Sequence, residues 1–329
     1  MMRMIMTASQ GKVFAKASVL MALLLSATTT FTVTAQTIDE RKDVAATANI
    51  EIKNLRGKVV IIGSEQDEVW VKGRIDEEAT NFIFDTEGDT TRIFVKMPSK
   101  MNNHWRYNDK QTDLVIQVPQ QASVHFTGVS TDVDVSNLRN NTFIKTVSGD
   151  VKANNLKNDI QLHSISGDVI SDNLSGTVEL SSVSGEISAT NTYGDVSYQA
   201  VSGKIAASCQ CEKVKATIVS GDMDIQLSDV RDATVSTVSG DVDAQMNIKN
   251  DGLVRMSSVN GDIELKLQKD LNAAIKAHSS GGKIINRIND DSVQTAEHGP
   301  SSRLVTRVGE DGAMIKVSTI NGKVVFSYH

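Results

Sequence analysis

Cysteine and aromatic residues are scarce in this sequence. Its 329 residues include 2 cysteines and only 4% aromatics. Two cysteines exclude a disulfide-rich scaffold, and nothing in the sequence resembles the ligand set of a zinc site. The shortage of large rings favours a thin interior, because aromatic side chains contribute much of the area that wide cores bury. Such an interior has to be built from valine, isoleucine and leucine.

A hydrophobic run long enough to cross a membrane is also missing. The longest apolar stretch, Ala17–Leu25, is about half of the ~20 residues that a span needs. Basic residues precede it and the small residues Val33–Ala35 follow it, which is typical of a secretory signal peptide. We predict that residues 1–35 are removed and that Gln36 becomes the N-terminus. The mature chain, without a transmembrane segment, is then expected in the periplasm, at the cell surface or secreted.

Net positive charge is absent as well. The formal net charge is −6 at pH 7, and loss of the three basic residues of the signal peptide takes it to −9. Nucleic acids and anionic lipids are bound through clusters of basic residues. An acidic chain therefore argues against either of them as the main partner.

The sequence is instead dominated by a glycine that returns every eighteen residues inside one five-residue phrase. The phrase is Val-Ser-Gly-Asp-Val or a close variant, with its glycine at Gly149, Gly167, Gly185, Gly203 and Gly221. The period lengthens to nineteen at Gly240 and to twenty-one at Gly261 and Gly282. A fixed period near twenty residues indicates stacked units that share one continuous core.

Each unit alternates between apolar and polar residues around its glycine. Apolar residues recur seven, five and two positions before the glycine and two positions after it, as in Ile160, Leu162, Ile165 and Val169 around Gly167. A period of two and the abundance of β-branched residues favour strands with these side chains pointing inward. The sequence therefore predicts an all-β fold, a single-stranded parallel β-solenoid with about 18 to 21 residues per turn.

The same frame extends beyond the obvious repeats. It predicts about nine contiguous turns over residues 124–284, with Thr131 in place of the first glycine. Related units surround Gly57 near the start of the mature chain and Gly322 near its end. The predicted solenoid thus occupies most of the mature chain.

Both ends of a solenoid should be covered, because unpaired strand edges invite further pairing. We predict an N-terminal β cap in residues 66–118 and a loop before the last turn in residues 286–312. The predicted organisation after the signal peptide is an N-terminal β region and cap, residues 36–118, followed by the solenoid with its closing turn, residues 119–329.

The two cysteines, Cys209 and Cys211, are one residue apart. On a strand they would share a face, but their geometry disfavours a bridge between them. We interpret them as packing thiols. A strained or intermolecular disulfide and a metal site are the alternatives.

The residue after each corner glycine is usually acidic, and stacking would place these residues in one column. The column is Asp132, Asp150, Asp168, Glu186, Lys204, Asp222, Asp241, Asp262 and Lys283. Each carboxylate could bond nearby backbone amides, as aspartate does in turns. The alternative is a calcium column at Asp132, Asp150, Asp168 and Glu186, since calcium prefers oxygen ligands. Lys204 interrupts the column, so we predict a structural role and no metal.

The preceding serines form a companion column. Its members are Ser130, Ser148, Ser166, Ser184, Ser202, Ser220 and Ser239. We interpret this column as a ladder of turn hydroxyls.

The run from Leu114–Pro119 through the serial phrases to Ile315–Val324 resembles the bacterial DUF4097 family of adhesin-like proteins, which is related to the head-GIN adhesin domains. The resemblance covers roughly residues 45–326. It implies an extracytoplasmic β-solenoid with an adhesin-like role, and it implies no reaction.

Catalytic motifs are missing from the sequence. It contains no GxSxG or HExxH motif, and Gly57–Val59 lacks the spacing of a phosphate loop. We predict that the protein is not an enzyme and has no cofactor. The best candidates for ligand binding are His104, Trp105 and Tyr107, because they interrupt the repeat with aromatic side chains in a loop. The alternative is that Trp105 and Tyr107 cap the solenoid core.

These observations predict a non-enzymatic, extracytoplasmic structural or interaction module of the bacterial cell envelope, similar to an adhesin. Its partner would be an envelope component, either protein or glycan. The alternative is a polysaccharide-binding or polysaccharide-degrading β-helix protein, which would need a groove with non-periodic acidic and basic residues.

Overall fold

The computed structural model describes residues 37–98 and 111–329, which form one sheet of nineteen strands. The strands are β1 (Thr37–Asp43), β2 (Asn49–Ser64), β3 (Glu68–Arg74), β4 (Asn81–Glu87), β5 (Thr90–Lys96), β6 (Thr112–Pro119), β7 (Ser123–Ser136), β8 (Thr142–Lys145), β9 (Val151–Ser164), β10 (Val169–Ser182), β11 (Ile187–Ser239), β12 (Val242–Asn260), β13 (Ile263–Leu267), β14 (Ala273–Ser279), β15 (Ile284–Asn286), β16 (Gln294–Thr295), β17 (Ser302–Val308), β18 (Ala313–Asn321) and β19 (Val324–Tyr328). None of the described residues belongs to a helix that could cross a membrane. The predicted signal peptide, residues 1–35, lies outside the described residues.

The repeat period is the length of one solenoid turn. Val169 in β10 pairs in parallel with Val151 in β9 on one side and with Ile187 in β11 on the other, an offset of eighteen residues each way. The fifty-three residues of β11 continue the same path without a break. The prediction of an all-β parallel solenoid is confirmed.

The interior contains a different set of residues from the predicted one. In the turn around Gly167, the buried side chains include Ile160, Leu162 and Val169, as predicted, but also Ser164. Ile165, two positions before the glycine, is 40% exposed. Buried and outward-facing residues alternate from Ile160 to Ser164, and the corner that follows directs Ile165 outward.

In the other turns, too, the residue two positions before the corner is not buried although it was predicted to point inward. The residues two positions before the corner form an exposed apolar column, and the members that are 40% to 50% exposed are Val129, Ile165, Val183, Val201, Val219, Val238 and Ile320. The assignment of this position to the core was wrong. A period-two pattern locates strand residues correctly, but it does not show where the corner ends the alternation.

The first turn of the solenoid is inserted between two later ones. β2 pairs in parallel with β7 on one side and with β5 and β6 on the other. The parallel ladder therefore runs across the predicted boundary between residues 36–118 and 119–329. Antiparallel strands then close this end, since β3 pairs with β6 and β1, and β4 pairs with β5. Of the strands in the predicted cap, β3 and β4 are antiparallel, whereas β5 and β6 belong to the parallel ladder.

A buried ion pair stabilises the cap. The Arg56 guanidinium donates hydrogen bonds to both carboxylate oxygens of Asp76 and to Glu78 Oε2, the last at 3.2 Å. The Arg56 and Asp76 side chains are only 6% and 1% exposed. Removing either partner would leave a buried charge uncompensated, which is strongly unfavourable.

The last turn is also inserted between earlier ones. β18 pairs in parallel with β12 and with β14, and β19 pairs with β13 and β15. The turn around Gly322 therefore separates the turns around Gly261 and Gly282, which were predicted to be neighbours. The contiguous nine-turn stack was wrong at this point. Residues 286–312 are also more than a loop, because their strand β17 pairs antiparallel with β14 and covers that edge.

The two cysteines are joined in a disulfide. The Cα atoms of Cys209 and Cys211 are 5.5 Å apart, within the ~4.4–6.8 Å range of disulfides. Both residues are buried, at 5% and 1% exposure. The interpretation as packing thiols was wrong because the two side chains point inward from one strand and come within bonding distance.

The corner glycines bring successive turns into backbone contact. A Cβ on Gly185 would lie 2.1 Å from the carbonyl oxygen of Gly167, and a Cβ on Gly167 would lie 2.1 Å from that of Gly149. Real Cβ atoms do not approach a carbonyl oxygen so closely. Any side chain at these positions would force neighbouring turns apart.

Two kinds of corner follow one another along the solenoid. In the first kind, a buried hydroxyl three positions before the glycine holds the corner: Ser182 Oγ donates to the Gly167 carbonyl at 3.1 Å and accepts the Gly185 amide at 2.9 Å. Thr146, Ser164 and Ser279 make the same pair of bonds. The hydroxyl ladder therefore lies two positions earlier than the predicted serine column.

In the second kind of corner, Ala200 and Ile218 stand in the hydroxyl position. The glycines that follow, Gly203 and Gly221, adopt φ of 123° and 131°. Side-chain-bearing residues rarely adopt such values, so glycine is required there for its backbone conformation as well as for space.

The acidic column caps amides of the next turn. Asp168 Oδ1 accepts the Glu186 amide at 2.8 Å, and Asp150 Oδ1 accepts the Asp168 amide at 2.9 Å. Asp132, Asp222, Asp241 and Asp262 make the equivalent bond. The bond from the Lys323 amide lowers the pKa of Asp262. Each aspartate of the column thus has a backbone partner, which also explains why acids are tolerated in a closely spaced column.

The corner geometry predicts which substitutions are damaging. Gly185→Val and Gly203→Val should each lower the free energy of unfolding by more than about 1 kcal/mol, because both clash with the preceding turn. Ser188→Val is the matched control, since Ser188 faces outward between two buried neighbours. Thermal unfolding followed by circular dichroism measures the effect. Equal melting temperatures for the three variants would contradict the corner assignment.

The acidic column makes a second prediction. Asp168→Ala should lower the free energy of unfolding by about 1 kcal/mol through loss of the amide bond, while Asp168→Asn, which keeps an acceptor, should change it less.

Calcium at a hundred times its dissociation constant would stabilise the folded state by about 2.7 kcal/mol if the acidic column bound it. We expect instead equal melting temperatures in millimolar calcium and in excess chelator. A calcium-dependent rise that Asp150→Asn and Asp168→Asn abolish would establish the metal site.

Candidate functional site

The ligand-binding residues predicted from the sequence, His104, Trp105 and Tyr107, lie outside the described residues. The acidic column belongs to the corners, and no group of three or more histidine, cysteine, aspartate or glutamate residues suited to a metal occurs within residues 37–98 and 111–329. The described surface offers a different cluster of aromatic side chains.

This cluster lies on the outer face of the sheet near the N-terminal end of the solenoid. His125 on β7 pairs in register with Phe143 on β8, and Lys145 on β8 pairs with His163 on β9. Because strand residues alternate between faces, His125, Phe143 and His163 all point away from the core. We call these three residues the aromatic face.

The rings of the aromatic face are in contact. The ring centroids of His125 and Phe143 are 4.5 Å apart with an interplanar angle of 12°, which is a stacked arrangement. Those of Phe143 and His163 are 5.5 Å apart at 52°. In the adjoining rows, Lys53 Nζ lies 4.5 Å from the centre of the Phe94 ring. The outer face thus carries three rings in contact across the neighbouring strands β7, β8 and β9.

A groove of about 240 Å³ runs beside the stacked rings. Its polar lining includes Glu51, Asn141, Asp159 and Gln161 in addition to His125. Glu51 pairs with Lys53 at 2.6 Å, and Asp159 accepts a hydrogen bond from the Gln161 amide at 3.3 Å. Both carboxylates therefore have partners within the protein.

The electrostatics of the aromatic face favour the uncharged form of the His163 ring. Burial lowers the pKa of His163; the Glu179 carboxylate opposes this shift and the Lys145 ammonium adds to it. Nδ1 of His163 lies 2.6 Å from Ser181 Oγ, which fixes the orientation of the ring. A neutral, oriented imidazole beside a phenyl ring can contact apolar ligand surface and still exchange hydrogen bonds.

The sequence contains a signal for the aromatic face, but this signal lies in the repeat and not in a loop. His125 stands six positions before Thr131, and Phe143 stands six positions before Gly149. The repeat frame therefore places the two rings in the same outward column on neighbouring turns. Reading the outward positions of the frame, and not only the inward ones, would have identified the pair.

Comparison with known proteins supports the fold assignment. The Toastrack DUF4097 family matches residues 47–325. Among solved structures, the chain is similar to a protein from Clostridium sporogenes ATCC 15579 that is described as a putative cell adhesion protein. That likeness has 12% identity and a TM-score of 0.23, and covers 89% of this chain and 100% of that chain. No curated protein matches the chain.

Identity and TM-score to the solved structure are both low, so the assignment depends on the family match. That match extends from β2 through β18 and agrees with the resemblance carried by the repeated phrases. The chain belongs to the Toastrack DUF4097 family.

Proposed function

We propose that the protein is a non-enzymatic, adhesin-like interaction module of the bacterial cell envelope, exported by a signal peptide in residues 1–35. The observation that supports this role is the aromatic face, where the exposed His125 ring stacks on the half-buried Phe143 ring beside a polar groove. Exposed apolar surface rimmed by polar groups is typical of interaction sites. The partner is an envelope component, either protein or glycan.

Binding is favoured over polysaccharide degradation by the state of the groove carboxylates. Glycoside hydrolysis commonly uses two carboxyl groups, one as an acid and one as a base or nucleophile. Here Glu51 is held in an ion pair with Lys53, and Asp159 is bonded by Gln161. Each carboxylate is thus engaged by a side chain two positions away on its own strand.

The proposal predicts that the aromatic face contributes to binding. The mature protein should bind an envelope fraction or an immobilised envelope glycan, and His125→Ala with Phe143→Ala should weaken that binding about tenfold. Aromatic contacts contribute about 0.5–1.5 kcal/mol each beyond burial, and ~1.4 kcal/mol corresponds to tenfold in affinity. Surface plasmon resonance measures the dissociation constants.

The matched controls are Ile170→Ala and Val305→Ala, which remove exposed apolar side chains elsewhere, at 41% and 55% exposure. They should leave binding unchanged. The proposal is wrong if no envelope component binds, or if the aromatic-face variant and the controls bind alike while all remain folded.

A further inference from the structure

Besides its glycine corner, a turn of the solenoid has a second corner. A second cleft lies where the regular pattern of this second corner ends. In four consecutive turns this corner is closed by an asparagine in the left-handed conformation, with φ between 51° and 60°: Asn137, Asn155, Asn173 and Asn191. The amides of the first three form a hydrogen-bonded ladder, with distances of 2.7 Å and 3.2 Å. In the next turn Cys209 takes the asparagine position and is buried in the disulfide.

A cleft of about 330 Å³ lies beside this position on the outside of the solenoid. We call it the amide cleft and define it by Asn191, Tyr193, Gln210, Gln226, Gln245 and Asn247. No residue that lines the cleft carries a charge, although 22% of the chain is charged. The lining therefore offers a charged ligand no ion-pair partner.

The polar side chains of the cleft form an array with the spacing of the sheet. Gln226 and Gln245 are direct partners in the register of β11 and β12, so their side chains are about 4.8 Å apart along the solenoid. Ser228 and Asn247 stand two positions after them in their turns, where the register of the two strands shifts, and Ser228 Oγ donates to the Cys209 carbonyl at 3.4 Å. The cleft thus offers one in-register pair of amides, Gln226 and Gln245.

Two of these side chains, Gln226 and Gln245, are available to a ligand. Gln210 donates to Asp229 at 2.6 Å, and Asn247 is bonded to His329 at 2.9 Å. Within residues 37–98 and 111–329, no side-chain hydrogen bond engages the amides of Gln226 or Gln245. Each free amide can donate and accept at once, which suits ligands with adjacent hydroxyl groups.

Tyr193 supplies an apolar surface at one end of the cleft. It is 41% exposed, in contrast to the fully buried Tyr198, whose pKa burial raises to about 12. An exposed ring can pack against the C–H face of a sugar while its hydroxyl stays in water. Buried Leu227 and Cys209 form the floor and hold the array in place.

We propose that the amide cleft binds an uncharged oligosaccharide, with Tyr193 packing against a sugar ring and Gln226 and Gln245 bonding its hydroxyl groups. This site is separate from the aromatic face and does not depend on the function proposed for that face. It also accounts for two irregularities of the sequence, the Cys-Gln-Cys segment and the lengthening of the period after Gly221, since both contribute residues to the cleft.

The test uses the mature protein and isothermal titration calorimetry. The probes are the uncharged hexasaccharides of glucose, mannose and N-acetylglucosamine, the charged hexamer of galacturonic acid, and an uncharged Gly-Ser hexapeptide. We expect at least one uncharged hexasaccharide to bind, and the charged hexamer and the peptide to bind more weakly or not at all. Tyr193→Ala should weaken sugar binding about tenfold, and Gln226→Ala with Gln245→Ala by a similar factor.

Matched variants separate binding from folding. Tyr193→Phe keeps the ring and should retain most of the affinity, while His125→Ala with Phe143→Ala should leave hexasaccharide binding intact. The proposal is overturned if no uncharged hexasaccharide binds, if the peptide or the charged hexamer binds best, or if Tyr193→Ala binds as tightly as wild type. If these outcomes occur while envelope binding still requires the aromatic face, the amide cleft proposal fails and the proposed function stands.

Discussion

The architecture depends on backbone contact between corner glycines of successive turns. At Gly149, Gly167, Gly185, Gly203 and Gly221 a Cβ would lie 1.8 Å to 2.5 Å from a carbonyl oxygen of the preceding turn. This contact keeps the turns at hydrogen-bonding distance, so a thin aliphatic core and one row of polar bonds per corner are sufficient. The hydroxyl ladder, the amide-capping acids and the outward columns all take their spacing from this contact.

The ends of the solenoid show how the chain closes its open edges. The first turn lies between later strands, and the last turn lies between two earlier turns. Antiparallel strands β3, β4 and β17 then pair with the outermost parallel strands. The first and the last solenoid turn are thereby held by pairing on two sides, which opposes fraying of the described solenoid from either end.

The sequence predicts the solenoid because its eighteen-residue period is set by local corner chemistry. It does not predict the order of the final turns, since the frame around Gly322 fits any neighbouring turn equally well. It places Ile165 inside because alternation alone does not locate the corner. For the candidate sites, the frame aligns His125 with Phe143. The amide cleft lies beside Cys209, where the left-handed asparagine of the earlier turns is absent, and apolar patterning does not register such a backbone conformation.

Native-state hydrogen exchange of the corner amides tests the central claim most directly. The amides of Gly167, Gly185 and Gly282 are bonded by buried hydroxyls inside the stack. They should exchange only with free energies close to that of global unfolding, like strand amides of the core. Exchange of these glycines at rates typical of exposed loops, while the neighbouring strands stay protected, would show that the corners do not hold the turns together.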